Sequence, residues 1–352
     1  MTQLMQSDVR DPVTLPVAHR SLFQDFCING FTILPTLIPP EVASTLCERL
    51  DTVLRSGAGD IGEPDKTPPC RVEDRSKPGK RRLPVAEVPS RRTLQVINIW
   101  KADSIFQSVV LSPLLGQLVA DLAGWESGAR VVNDQVWAKP PGASPLTFHR
   151  DSAYFDLVPA DIVTVWIALD NMDEEVGPLQ YVKGSHLWKD ERCGGTSEFF
   201  LAERDHRWMM LDAYQRQKKE SAATEAGEKE PEQEKKLHEA EDGETGPHIV
   251  TIRVNAGGCG IHNGRLWHGS DRNASVRARR GLGIHFCAAD ARFRDSEGRT
   301  QAHLVAAKYN TIQTEGADAE NASEDTSRID EGASSEDDCV LPKSLFPITY
   351  SR

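Results

Sequence analysis

The sequence predicts a mainly β domain, a sandwich or barrel, with a layer of helices on its N-terminal side. Three observations predict it. From Thr93 onward many short strand-like runs follow one another, bounded by Gly, Pro and Asn. Strand and helix patterns do not alternate as repeated βα units would. Apolar residues at helical spacing concentrate ahead of the strands.

Leu22, Phe23, Phe26 and Cys27 recur at helical spacing, and Gly30 is placed to stop that helix. FTILP follows as a short strand. The Pro39-Pro40 pair opens a second helix with Val42, Leu46 and Leu50 on one face. Residues 60–92 turn to Gly, Pro and mixed charge, as in DKTPPCRVEDRSKPGKRRLP. A loop of that length is a functional lid or a solvated flexible segment. Its Lys80, Arg81 and Arg82 offer positive charge to an anionic substrate. LQVINIW then alternates, SPLLGQLVADLAG reads as a helix and ARVVNDQVWAKPP as a strand. FHRDSAYFD, IVTVWIALDNM, GPLQYVKGSH, HIVTIRVNAGGCGIHNG, LWHGS and RRGLGIHFCAAD supply the remaining strands. The expected unit is a single domain over 14–312. It is interrupted at 215–246 by a charged segment without aromatics, read as a disordered acidic insertion. An acidic, disordered tail is expected at 313–338 and a short C-terminal segment at 339–352.

The 352 residues carry a formal charge of −12, which argues against a nucleic-acid binder. Hydrophobic residues make up 39%, a low share that the two charged segments largely explain. The sequence shows no apolar run of the roughly 18–20 residues that spans a bilayer. MTQLMQSDVRDPVTLP has no signal-like apolar core, and ITYSR is not the usual peroxisomal tripeptide. A cytoplasmic protein is expected, with a small-molecule substrate and no nucleic-acid, membrane or obligate protein partner. The seven cysteines are dispersed without a CxxC pair, which suits reduced thiols and disfavours a cysteine zinc site.

FHRDSAYFD raises the chemical question. Side chains two apart on a strand share a face, so His149 and Asp151 converge while Arg150 points away. An imidazole and a carboxylate on one face are two-thirds of a facial metal triad. The best third ligand is His268, in GRLWHGS; His186, His206, His248, His262 and His285 compete. The Asn263-Gly264 turn signal makes an unbroken strand from His262 to His268 unexpected. Two histidines and one carboxylate leave positions open, which marks non-haem Fe(II) oxygenases rather than closed structural zinc. Eleven residues past His268 stands Arg279, whose planar fork suits the far carboxylate of a chelating 2-oxo acid. Ser270 shares the strand face of His268. Arg279, Gly281, Gly283 and His285 share one face of their strand; Arg280, Leu282, Ile284 and Phe286 share the other. Parity alone does not say which face points inward.

QVWAKPP (135–141), FHRDSAYF, TVWIALDNM, GPLQYVKGSH, NGRLWHGSDRN and RRGLGIHF, in this order, resemble the phytanoyl-CoA dioxygenase family of Fe(II)/2-oxoglutarate-dependent oxygenases. The resemblance runs from about Gly30 to Asp290. It implies a double-stranded β-helix, a jelly-roll or cupin-like core, beneath the N-terminal helical layer. It implies His149, Asp151 and His268 as iron ligands. It places Arg279 and Ser270 on the distal carboxylate of 2-oxoglutarate, and Trp166, Gln135 and Gln95 in the cosubstrate pocket. The implied cofactors are Fe(II), 2-oxoglutarate and dioxygen. The implied reaction is hydroxylation of a C–H bond, with succinate and carbon dioxide as co-products. The GSH at 184–186 is a recurrent loop of the family, and its His186 is expected to be structural or to line the entrance. Two other readings compete: a non-catalytic jelly-roll binding protein, and a cupin-like hydrolase or isomerase on zinc or manganese.

Overall fold

A computed structural model describes residues 11–15, 19–56, 70–74, 81–82, 93–155, 157–189, 205–225, 246–293, 341, 343 and 346–351. Its helices are α1 (His19–Asn29), α2 (Pro40–Ser56), α3 (Ser104–Val110), α4 (Pro113–Ala123) and α5 (Trp208–Glu225). The strands of the first half are β1 (Phe31–Leu34), β2 (Arg71–Asp74), β3 (Arg81–Arg82), β4 (Leu94–Ile97), β5 (Ala129–Lys139), β6 (Leu146–His149) and β7 (Leu157–Val158). Those of the second are β8 (Val163–Ala168), β9 (Leu179–Val182), β10 (Ile249–Thr251), β11 (Cys259–Asn263), β12 (His268–Ser270), β13 (Arg279–Ala288), β14 (Arg292–Phe293) and β15 (Ile348–Tyr350).

The helix boundaries follow from local chemistry. α1 stops at Gly30, whose φ of +82° suits glycine, and any Cβ there would collide with the His186 ring. Asp103 caps α3 by accepting from the Ile105 and Phe106 amides. Ser112 caps α4 by accepting from Leu115, with Pro113 in the first turn and Gly124 left-handed past the end. The stretch Ser104–Ala123 is long and apolar enough to cross a membrane by composition. Here it forms two helices that meet at Ser112, with their apolar faces buried on the sheet.

The strands build two antiparallel sheets. The major sheet runs β1-β11-β8-β13-β5-β4-β2-β3, with β15 also on β5; the minor sheet runs β10-β9-β12-β6. A small β7–β14 pair stands apart. This is the jelly-roll that the resemblance implies, with α2, α3 and α4 laid on the major sheet. Leu282, Ile284, Phe286, Val165, Ile167 and Ile261 face outward and pack with α2, α3 and α4 in one apolar cluster. Each such side chain, fully buried, contributes about 1.5–3 kcal/mol. That cluster settles the parity left open in β13: Arg279, Gly281, Gly283 and His285 face the interior of the sandwich. The outer face of the minor sheet carries Phe148, Val182 and Trp267, covered by Met209, Met210 and Ala213 of α5.

Three boundaries differ from the sequence reading. Residues 71–74 and 81–82, inside the expected 60–92 loop, pair with each other, and β2 pairs with β4. Val72 gives the reason: it is buried, an apolar residue within an otherwise polar run. The side chains of Lys80, Arg81 and Arg82 lie outside the described residues. Residues 215–225, assigned to the acidic insertion, complete α5; its first turns are anchored by buried Met209, Met210, Ala213 and Tyr214. Residues 226–245 and the expected tail lie outside the described residues. Past that tail, β15 joins the major sheet beside β5, with Phe346 and Thr349 buried, so the domain does not end at 312. Among the described residues the cysteines Cys27, Cys47, Cys70, Cys259 and Cys287 are free thiols.

Candidate metal centre and cosubstrate pocket

β6 ends at His149. Arg150 stays extended (φ −126°, ψ 130°) before a short 3-10 turn over Asp151–Ala153. The extended backbone carries the two-residue period one step past the hydrogen-bonded ladder, so His149 and Asp151 face the same way. His268 opens β12 and is the cross-strand partner of His149, with ring centroids 4.2 Å apart.

His149, Asp151 and His268 each offer one ligand atom, and these lie within 4.8 Å of one another, all buried. Asp151 Oδ1 is 3.7 Å from His149 Nε2 and 3.6 Å from His268 Nε2. The tautomers follow from the neighbours. His149 Nδ1 lies 2.8 Å from the Thr147 carbonyl, and His268 Nδ1 lies 3.0 Å from the Leu266 carbonyl. A carbonyl only accepts, so Nδ1 carries the proton and Nε2 the lone pair in both rings. Burial pushes the His149 imidazole down to about 3 and the His268 imidazole down to about 4. Two lone pairs and a carboxylate oxygen thus converge, an arrangement that repels itself unless a cation sits within it. Neutral imidazoles with one carboxylate, and positions left over, fit iron(II).

The second carboxylate oxygen of Asp151 turns to the major sheet. Thr164 Oγ1 donates to it at 2.6 Å, and His262 Nε2 donates at 3.1 Å. With its Nε2–H committed, His262 accepts at Nδ1 from the Tyr181 hydroxyl, 2.9 Å away. His285 Nδ1 donates in turn to Thr164 Oγ1 at 2.9 Å. Thr164, His262 and His285 form one row across β8, β11 and β13. Tyr181, His268 and His149 form the facing row across β9, β12 and β6. Burial alone would raise the Asp151 carboxyl. The imidazoles of His268, His285 and His262 outweigh it and hold the group well below the usual carboxylate range.

The His149 and His268 imidazoles make stability depend on pH. Unfolded, each ring titrates near 6.5; folded, they stay neutral down to about 3 and about 4. Between these values the unfolded chain binds more protons. Their contribution is therefore present above pH 6.5 and is lost as pH falls below it, by up to about 1.4 kcal/mol per pH unit for each ring. Chemical denaturation of the metal-free protein at pH 7.5 and pH 5 is expected to show this loss. Equal stability at both would mean that water reaches the rings.

Arg279, 1% exposed, lies with its guanidinium 4.8 Å above the Trp166 ring. Trp166 in turn lies against Gly281, where any Cβ would collide with the indole. Arg279 Nε and Nη2 have no acceptor among the described residues. Ser270 is fully buried at the end of β12. Gln95 and Gln135 are brought together, Gln95 Nε2 donating to Gln135 Oε1 at 2.6 Å, and Trp137 Nε1 also donates there at 3.2 Å. His186 is held away from the triad: it packs against Gly30 and its Nε2 lies 3.1 Å from the Cys27 carbonyl. His206 Nε2 pairs with Asp271 Oδ1 at 3.0 Å, behind the minor sheet. The sequence reading missed three residues here. His262 and His285 were weighed only as ligands. Lys139, on the same face of β5 as Gln135, was passed over; it is buried beside Ser270 and is the cross-strand partner of Arg279.

The family model for phytanoyl-CoA dioxygenase matches residues 26–281. The chain belongs to the phytanoyl-CoA dioxygenase family. A curated relative, the probable alpha-ketoglutarate-dependent hypophosphite dioxygenase of Stutzerimonas stutzeri, is 29% identical over 192 residues, 54% of each chain. The chain thus spans about half the length of the curated relative it matches. Among solved structures, the non-haem alpha-ketoglutarate-dependent carbocyclase SnoK from nogalamycin biosynthesis gives a TM-score of 0.55 at 19% identity, over 86% of this chain and 98% of that one. The epimerase SnoN, in complex with Fe3+, alpha-ketoglutarate and nogalamycin RO, gives 0.53 at 19%, over 86% and 93%. At these identities the likeness is one of fold.

Proposed function

We propose that this phytanoyl-CoA dioxygenase family member is an Fe(II)- and 2-oxoglutarate-dependent dioxygenase that hydroxylates a C–H bond of a small organic or acyl substrate, releasing succinate and carbon dioxide. One observation carries the reading: three converging lone-pair donors in the same buried sandwich as an arginine without an acceptor. His149, Asp151 and His268 hold the iron. When bound, the iron supplies dioxygen activation coupled to decarboxylation of 2-oxoglutarate. Arg279 and Ser270 hold the distal carboxylate, and Trp166 walls the pocket beneath the guanidinium. Gln135 and Gln95 complete its polar edge through their mutual hydrogen bond. Thr164 and His262 occupy one oxygen of Asp151, which keeps the other for the metal and preserves open positions. A carboxylate at 151 supports hydroxylation over halogenation, because related halogenases have a small residue there to admit halide. The hypophosphite dioxygenase relative supports a small, anionic substrate, as does the charge of Lys80, Arg81 and Arg82.

Anaerobic titration of Fe(II) and 2-oxoglutarate tests the reading. The wild type is expected to develop the weak visible metal-to-ligand charge-transfer band, and the His149→Ala variant to lack it. A folded wild type without the band returns the protein to the binding-module or hydrolase readings. Once the band is seen, succinate release in air is compared across acyl thioesters, small carboxylates and hypophosphite. Stimulation by a C–H substrate with a hydroxylated product supports the finer reading; an epimerised or cyclised product replaces it.

A further inference from the structure

We propose that Lys139 is the residue that restricts the cosubstrate to 2-oxo acids with a charged far end, acting together with Arg279 and through Ser270. The proposal rests on the 2-oxoglutarate reading above and adds to it a cation on a different strand. Lys139 is 1% exposed at the end of β5, directly opposite Arg279 in the β5–β13 register. Its Nζ donates to Ser270 Oγ at 3.0 Å and to the Asp271 carbonyl at 2.5 Å. Among the described residues neither Lys139 nor Arg279 forms an ion pair with a carboxylate. The Asp271 carboxylate is engaged elsewhere, by Gln180 at 2.8 Å, Arg207 at 3.3 Å and His206 at 3.0 Å. Two cations thus face each other across strands in a buried interior, with no carboxylate in contact and only Asp271 and Asp170 opposing their charge from farther off. Such charges are costly to retain unless a ligand neutralises them. Burial, and then the Arg279 charge, push the Lys139 ammonium well below its usual range; an incoming carboxylate opposes both effects.

The serine contact fixes a direction as well as a charge. A hydroxyl has one proton and two lone pairs. Because the ammonium can only donate, it occupies a lone pair of Ser270 Oγ and leaves the serine proton to point at a ligand. Arg279 Nε and Nη2, the other donors without an acceptor here, are then joined by an oriented O–H. A carboxylate accepts from all of them, whereas a methyl or methylene terminus leaves every one unsatisfied.

The test compares 2-oxoglutarate with 2-oxopentanoate, which keeps the oxo acid and replaces the far carboxylate with a methyl group. Binding is measured by anaerobic calorimetry on Mn(II)-loaded protein, so turnover plays no part. The wild type is expected to prefer 2-oxoglutarate strongly. Lys139→Met is expected to weaken 2-oxoglutarate by about tenfold to a hundredfold, from the strength of a charged hydrogen bond. It should leave 2-oxopentanoate and Mn(II) binding unchanged, shrinking the preference by the same factor. Ser270→Ala in the Lys139→Met background should add less than it does alone. Should Lys139→Met not fold, Lys139→Arg is expected to keep most of the preference and Lys139→Gln to lose it. Unchanged 2-oxoglutarate affinity, or an equal loss for both oxo acids, overturns the proposal and makes Lys139 a structural tie between β5 and β12. If the wild type binds neither oxo acid, the cosubstrate reading itself fails, and this proposal with it.

Discussion

Replacing Asp151 with alanine is expected to abolish divalent-metal binding and every metal-dependent activity, and to lower the melting temperature of the metal-free protein as well. The first effect follows because two neutral imidazoles alone remain at the centre. The second comes from the other side of the carboxylate. Thr164 and His262 both donate to Asp151 Oδ2, and both are buried. Truncation leaves the two donors without an acceptor, each costing about 1–3 kcal/mol. Asp151→Asn separates the effects. Its amide oxygen still accepts from Thr164 and His262, so the fold should hold, while its NH2 replaces the metal-facing oxygen. Thermal melts with and without Mn(II) read both. The wild type should be stabilised by the ion, Asp151→Asn should match the metal-free wild type, and Asp151→Ala should melt lower. Stabilisation of Asp151→Ala by Mn(II) equal to that of the wild type would remove Asp151 from the ligand set.

Replacing Arg279 with methionine is expected to act oppositely on stability and on function. The guanidinium is buried, stacked on Trp166, and carries two nitrogens with no acceptor among the described residues. Burial pushes it down from its usual range, the sign that the folded protein holds this charge at a cost. An apolar side chain of similar length removes that cost without stranding a carboxylate, and such exchanges are often neutral or stabilising by about 1–4 kcal/mol. The ligand-free melting temperature should therefore stay level or rise. Affinity for 2-oxoglutarate should fall by about a hundredfold or more, as for loss of one side of a buried charge pair. Calorimetry and a melt on the same variant decide between this and a structural arginine, which would lower both together. A rise in stability beside a loss of binding is the trade expected where a site is kept ready for a ligand.

Much of this was legible in the sequence because strand periodicity is strict. The H-x-D spacing survives the end of β6 because Arg150 stays extended. The β13 pattern set Arg279 and His285 on one face before it was known which face was interior; only the helices packed on Leu282, Ile284 and Phe286 decided that. The competing histidines were harder. His262 and His268 stand six apart in the chain, yet they come from different sheets because the Asn263-Gly264 turn carries the chain across the sandwich. Their rings meet at 4.4 Å from opposite sides, a relation that no spacing rule within one strand describes. Lys139 had a signal that was not used: it shares parity with Gln135 at the end of β5. A lysine so placed either reaches water or is given partners inside, and the β12 contact that decides for the second is non-local. Position 215 was misjudged for the opposite reason. Composition past Tyr214 is polar apart from Ala222 and Ala223, but a helix already anchored by Met209, Met210 and Ala213 extends at little cost.

The arrangement around Asp151 bears on anyone wishing to transplant this centre into another jelly-roll scaffold. The three candidate ligands come from β6, the turn after it, and β12, so a graft of one sheet would look sufficient. Yet the carboxylate is aimed by Thr164 and His262, and Thr164 is itself held by His285, on three strands of the other sheet. A copied triad without those donors would carry a carboxylate able to swing and chelate through both oxygens, closing a position that the reaction needs. The portable unit is therefore six residues spread over both walls, and a recipient must match the distance between the walls as well as the ligands.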